Sequence, residues 1–428
     1  MNNFKPYPKY KDSGVPWVGK IPKEWKMKKL KHVFSEKKIT HDPTLPCGSI
    51  SFGKVIEKPD EKIPISTKAS YQVLNKGEFL INPLNLNYDV KSLRIGLSNK
   101  DVVVSSGYIV LKVQIANKRY LNYMMHRYDV AHMKLLGSGV RQTINFNHIA
   151  NSLLPVPPLN EQIAIANFLD DKVGKIDAAI AQKEQLIQLL NERRQITIQN
   201  AVTKGLNPKA PMRDSGIEWI GQIPAHWEVK RLKHLFFEKN QRTTTGKETL
   251  FSLRMHAGLV PHDSVSDKPI SNEQLIDYKI VEPNQIVMNR MRASIGIFGI
   301  TKAAGLVSPD YAVFDSSTDV CNVYFLNLFK TDYMCTQFRL SSKGLGTGDQ
   351  GFMRLYSDTF GRIPVAIPPV KEQENISTFI NEQKVKFEQG IENVQSIIQK
   401  LKEYKATLIN SAVTGKINVS SYDSSNAE

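Results

Sequence analysis

The chain contains one unit twice. Asp12-Ser-Gly-Val-Pro-Trp-Val-Gly-Lys-Ile-Pro-Lys-Glu-Trp25 returns as Asp214-Ser-Gly-Ile-Glu-Trp-Ile-Gly-Gln-Ile-Pro-Ala-His-Trp227. The copies then stay in step: Lys28, Leu30, Lys31, His32, Phe34, Glu36 and Lys37 match Lys230, Leu232, Lys233, His234, Phe236, Glu238 and Lys239. Two tryptophans framing a Gly-x-Ile-Pro turn do not recur by chance, so the fold must be one that two equivalent units can build. A second motif pair follows. Pro157-Pro-Leu-Asn-Glu-Gln162 and Pro368-Pro-Val-Lys-Glu-Gln373 open segments that close on Ala201-Val-Thr203 and Ala412-Val-Thr414. Between these landmarks, residues 40–150 and 242–360 resist alignment, except that Val104-Ser-Ser-Gly-Tyr108 resembles Val307-Ser-Pro-Asp-Tyr311. The plan is a fixed frame, a variable insert and a helix, twice over. Two reading heads with different targets would have this form, and so would ordinary drift.

Pro157-Pro158 stops the preceding element, and Asn160 is placed to cap a helix that runs to about Val202 without an internal proline. Its apolar residues step by four and three through Leu169, Val173, Ile176, Ile180, Ile187, Leu190 and Ala201. The second segment does the same through Ile380, Phe387, Ile391, Val394, Ile398, Leu401, Leu408 and Ala412. This spacing predicts heptad seams and an antiparallel pairing of the two helices. At about 42 residues, each rises roughly 60 Å. Lys183, Arg194 and Thr197 interrupt the first seam, and Lys384 and Lys405 the second; polar intrusions of this kind fix register. The plainer reading is two amphipathic helices packed on their own domains.

Both inserts carry short β-type runs, among them Gly77-Glu-Phe-Leu-Ile81, Tyr108-Ile-Val-Leu-Lys-Val113, Gln285-Ile-Val-Met288 and Tyr311-Ala-Val-Phe314. They predict mixed α/β domains with a small twisted sheet. Gly137-Ser-Gly139 precedes Arg141 and Gln142, and a glycine-rich run from Gly344 to Gly351 precedes Arg354. Backbone amides beside an arginine suit a phosphate or a base edge. The candidate readers are Asn82, Asn85, Asn87, Tyr88, Lys91, Arg94 and Arg141 in the first insert, and Arg254, His256, Asn289, Arg290, Arg292 and Arg354 in the second. Arginine forks match guanine O6 and N7, and side-chain amides match adenine N6 and N7; solvated surface residues or phosphate contacts are the bland alternative for each. Met288-Asn-Arg-Met-Arg292 is the densest local cluster, with apolar residues available to anchor the loop.

A chain of 428 residues is too long for one ordinary core. The formal charge of +16 points to a polyanionic partner, although an AT-rich genome also enriches lysine. Cys47, Cys321 and Cys335 make neither a disulfide framework nor a zinc motif, and no run approaches the ~20 apolar residues of a membrane span. A soluble cytoplasmic protein is expected. No Walker loop, Gly-x-Ser-x-Gly, His-Glu-x-x-His or Cys-x-x-Cys occurs. Asn82-Pro-Leu-Asn85 lacks the second proline and the aromatic of the adenine-methyltransferase loop and reads as a turn. No catalytic residue, metal or cofactor is expected.

The layout resembles the specificity (S) subunit of type I restriction–modification systems over nearly the whole chain. The twin Asp-Ser-Gly-x-x-Trp-x-Gly-x-Ile-Pro-x-x-Trp openings, the Pro-Pro-x-x-Glu-Gln helix starts and the Ala-Val-Thr endings carry the resemblance. It implies an α+β (mixed α/β) fold with two globular target-recognition domains separated by a pair of long antiparallel coiled-coil helices, in an internal pseudo-two-fold repeat. The implied boundaries are domains at 1–158 and 205–369, helices at 159–204 and 370–416, and a flexible tail at 417–428. Each domain would read half of a bipartite double-stranded DNA site, with the helices setting the gap. The partners implied are two modification (methyltransferase) subunits, which carry S-adenosylmethionine, and ATP-using restriction subunits, in a bacterium or archaeon. The alternative is a non-catalytic coiled-coil scaffold whose basic domains bind nucleic acid without sequence choice.

Overall fold

The computed structural model describes residues 6–84, 93–136, 143–255, 257–268, 270–345, 352–420 and 422. The chain forms two compact units, one of residues 1–184 with 396–428 and one of residues 185–395.

In unit 1 the insert is built on β1 (Phe34–Glu36), β2 (Gly48–Ser51), β3 (Lys54–Glu57), β4 (Phe79–Ile81), β5 (Ile95–Leu97) and β6 (Ile109–Val113). An antiparallel sheet has the order β1-β6-β4-β5, and β2–β3 form a separate hairpin. The apolar runs are continuous because both sheet faces are covered. Phe79 and Ile81 join the main core, while the alternate Leu80 joins Val55, Leu74 and Val110 on the other face. Helix α1 (Lys118–Ala131) is capped by the Asn117 side chain and buries Tyr120, Leu121, Met124 and Tyr128 on the main-core face. The long α2 (Leu159–Lys204) starts one residue before Asn160, because the Pro158 carbonyl already accepts the Glu161 and Gln162 amides.

Unit 2 repeats the plan with β7 (Phe236–Lys239), β8 (Phe251–Arg254), β9 (Gly258–Pro261), β10 (Ile286–Asn289), β11 (Phe298–Ile300) and β12 (Tyr311–Ser316). The sheet order β7-β12-β10-β11 and the hairpin β8–β9 are those of unit 1, although the insert sequences do not align. Glycine recurs where the hairpin presses on the sheet. A Cβ on Gly96 would lie 2.4 Å from the Gly53 carbonyl oxygen, and one on Gly299 would lie 2.6 Å from Leu253 Cδ1. Helix α3 (Asn322–Phe329) and the long α4 (Val370–Val413) complete the set.

The repeated motifs are the fasteners of this plan. Gly14 and Gly216 adopt φ of 72° and 74°, and each donates its amide to the aspartate two residues back. The second tryptophan of each opening is buried and donates to the glutamate of its Pro-Pro-x-x-Glu-Gln motif: Trp25 Nε1 to Glu161 at 2.7 Å, Trp227 Nε1 to Glu372 at 3.2 Å. The glutamines cross-link in parallel. Gln162 Oε1 accepts the Asn117 amide and Gln373 Oε1 the Cys321 amide, both at 2.8 Å, at the starts of α1 and α3.

The helices α2 and α4 pack together antiparallel. Leu408, Ala412 and Val413 share the unit 1 core with Leu169, Val173 and Ile176, and Ala201 and Val202 share the unit 2 core with Ile376 and Ile380. Tyr324 fixes one end by donating to the Val202 carbonyl at 2.8 Å, and at the other the Tyr120 hydroxyl, which donates to the Pro155 carbonyl at 2.9 Å, lies 3.4 Å from the Val413 carbonyl. Of the seam intrusions, Lys405 pairs across the helices with Asp177 at 2.6 Å, whereas Lys384 turns to the Asn327 side chain of α3 at 2.7 Å. The expected flexible tail begins anchored: Ile417 and Val419 are buried, and the Tyr422 ring lies 5.0 Å from Phe168. Residues 423–428 lie outside the described residues. Among the described residues, no helix is long and apolar enough to cross a membrane.

Candidate nucleic-acid interface

In unit 2, β10 ends at Asn289 directly opposite Tyr311, the first residue of β12. Ile286 and Met288 hold β10 to the main core and Val287 to the opposite face, so Asn289 emerges from a strand with no freedom to shift. Arg254, at the end of β8, and Arg292, at the turn after β10, are exposed. Burial pushes the Tyr311 hydroxyl up, against the opposing pull of Arg292, Arg254 and the Asn289 amide. Asn289 thus faces a tyrosine across the ladder, and the charges of Arg292 and Arg254 act on the same hydroxyl. Within the Met288–Arg292 cluster, Met288 anchors the strand but Met291 is 38% exposed.

Two other arginines are engaged. Arg290 is turned inward, with Nη2 donating to Glu238 Oε1 at 2.5 Å and to Ser357 Oγ at 3.3 Å. Arg354 donates to Asp310 at 2.9 Å and lies over the Tyr356 ring. The Leu355 amide donates to the Arg290 carbonyl at 2.9 Å, which ties the Arg354 segment to the turn after β10.

Unit 1 places Asn82 and Tyr108 in the same way, one residue beyond the Ile81–Ile109 pair. The Asn82 side chain accepts the Leu84 amide at 3.1 Å, and Arg94 donates to the Leu84 carbonyl at 2.6 Å; the expected turn at residues 82–85 ends outside the described residues. Burial and Tyr71 push the Tyr108 hydroxyl up, against the Arg94 guanidinium. Asn85, Asn87, Tyr88, Lys91, Arg141, Gln142 and His256 lie outside the described residues, as do Gly137–Gly139 and residues 346–351. Neither Tyr108 nor Tyr311 stands among the sequence candidates, yet the one motif shared by the inserts ends on each of them.

The Arg94 segment rests on a buried carboxylate. Asp129 is fully buried on α1; its Oδ2 accepts the Arg94 amide while Oδ1 meets no donor among the described residues. Burial raises Asp129 to about 6, against Arg94 and Lys134, and lowers His126, one turn earlier and facing Lys405, to about 4. The raised Asp129 contributes stability that is complete below its unfolded value and lost as pH rises through about 6. The depressed His126 contributes stability present above its unfolded value and lost as pH falls through about 4. The two slopes oppose one another in the same acid window. Asp129→Asn should therefore raise the thermal midpoint at pH ~8 and expose a steep acid loss between pH ~6.5 and ~4.5. Thermal unfolding across that range checks it, and an unchanged acid profile in the variant would refute it.

Residues 22–191 match the family model of the type I restriction modification DNA specificity domain. Along 94% of its length the chain is 23% identical to a putative type I restriction enzyme MjaX specificity subunit of Methanocaldococcus jannaschii, 96% of which is covered. It is 24% identical to the EcoKI specificity subunit of Escherichia coli over 52% of this chain and 48% of that one. The fold is that of the HsdS subunit from Thermoanaerobacter tengcongensis (TM-score 0.52, 15% identity, 95% of this chain and 100% of that one). A chain from a structure of type I R-M complex assembly and conformational transition has the same fold (TM-score 0.61, 16% identity, 92% and 98% covered). Residues 22–191 thus match a type I restriction modification DNA specificity domain, and the chain is similar along nearly its whole length to a putative type I specificity subunit.

Proposed function

We propose that each unit reads one half of a bipartite, asymmetric DNA site, with residues 1–158 and 205–369 as the target-recognition domains. The paired segments 159–204 and 370–416 set the gap and, with the frame, dock two modification subunits. Those subunits methylate adenine with S-adenosylmethionine, and restriction subunits join them to cut DNA using ATP; this chain supplies the address. The observation that carries the reading is one sheet built twice, with the same Asn–Tyr pair at the same corner and different cations around it. An equal scaffold with unequal cationic surroundings is what two halves of unlike sequence require. A good bidentate base contact discriminates by ~1–3 kcal/mol, so several per head give stringent recognition only when both heads engage at once.

Mapping methylated adenines in the source genome tests the proposal. Two unlike half-sites at a fixed gap are expected; one contiguous palindrome would overturn it, and equal affinity for random duplexes in the presence of the modification subunits would favour a sequence-blind scaffold. Arg292→Ala should relax specificity in one half-site only, by roughly tenfold at the affected position. Uniform weakening on every duplex would make Arg292 a phosphate contact instead.

A further inference from the structure

Phe52 breaks two rules at once. It is 71% exposed, and it sits at the tip of the β2–β3 hairpin with φ of 46°. Gly53 follows at φ of 76°, so the turn has both central residues left-handed, a conformation that asparagine or glycine satisfies and a bulky aromatic strains. The ring belongs to none of the buried clusters of unit 1. A strained, exposed aromatic that gives the fold nothing is the pattern of a residue kept for contact with something else.

The surroundings say what. The tip is held rigidly, with the Gly53 amide donating to the Leu93 carbonyl at 2.9 Å, next to Arg94. Phe52 borders a groove of about 750 Å³ inside unit 1, together with Ile56, Lys54, Arg127 and Lys402. The carboxylate there, Asp177, is already taken by Lys405. Apolar surface rimmed by cations without a free carboxylate suits bases flanked by phosphates better than a protein surface. Unit 2 has a parallel: Met255, 43% exposed, tips the β8–β9 hairpin beside Arg254.

We propose that Phe52 is a wedge that enters a base step of the half-site read by unit 1 and unstacks it, while Lys54, Arg127 and Lys402 take the flanking phosphates. This rests on the DNA-reading function proposed above. The test uses the full chain with its modification subunits and a duplex carrying the genome-mapped site, with 2-aminopurine placed at successive positions. The native complex should raise fluorescence at one step of the half-site that Arg292→Ala leaves intact. Phe52→Asn, which accepts the left-handed turn, should abolish that rise and weaken binding by about tenfold, with an equal or higher thermal midpoint. Specific binding with no rise in that half-site, or a Phe52→Asn complex that binds and unstacks like the native one, overturns the wedge but leaves DNA reading standing. Loss of modification-subunit association without DNA would make this face a protein dock, and also overturns the wedge. A native complex with no preference for the mapped site would refute DNA reading itself.

Discussion

Replacing Glu238 with alanine is expected to destabilise unit 2 by about 3–5 kcal/mol, the usual cost of leaving a buried charge without its partner. Lys279 is 2% exposed, and its ammonium reaches Glu238 at 3.0 Å; the Arg290 guanidinium reaches the same oxygen. Burial depresses the Lys279 ammonium in spite of this partner. Burial would raise the Glu238 carboxyl, but Ser357, Lys279 and Arg290 outweigh it and hold it below its ordinary value. One carboxylate therefore pairs with two cations, and removing it takes the ion-pair partner from both. The damage should also be local in function. Arg290 begins the turn that carries Arg292, so recognition of one half-site should fail while the other survives. Urea unfolding, with hydrogen exchange of the β10 amides to localise the loss, measures the effect. Adding Lys279→Met to Glu238→Ala should recover much of the loss. A single variant within 1 kcal/mol of native, on the scale of an exposed pair, would refute the account.

One heptad added at mid-helix to both α2 and α4 is expected to abolish modification of the native site and move it to a site with a longer gap. Seven residues add about 10 Å while keeping the seam on nearly the same face. At about 3.4 Å per base pair, the gap should grow by roughly three base pairs with both half-sites unchanged. Adding the heptad to one helix alone leaves the two seams unequal in length and should lower stability without producing a new gap. Methylation mapping reads both results. An unchanged gap in the double insertion removes the helices from any measuring role.

What the sequence discloses depends on how local its causes are. The frame is legible because its fasteners are short motifs: a glycine at positive φ, a buried tryptophan, a glutamate at a helix start. The equivalence of the inserts is not legible. Sheets covered on both faces ask only for apolar residues, so Phe79-Leu-Ile81 and Ile286-Val-Met288 do the same work with no identity between them. The inward turn of Arg290 is hidden because its partner, Glu238, lies 52 residues away. Asn289, Arg254 and Arg292 suit base edges by residue type alone, whereas Tyr311, which faces Asn289, emerges only from strand register.

The composition of the two units has a consequence for the nascent chain. Unit 2 is one continuous stretch, residues 185–395, and can close as soon as it leaves the ribosome. Unit 1 is made first but completed last, because Leu408, Ala412, Val413 and Val419 belong to its core. Until they arrive, apolar surface around Trp25, Phe168 and Val173 stays uncovered, which exposes the half-made chain to chaperones and proteases. A ribosome that stalls short of the last helix turns leaves a product with one sound unit and one open one. Burial of Trp25, Phe168 and Val173 thus waits on the synthesis of residues more than two hundred positions further along the chain.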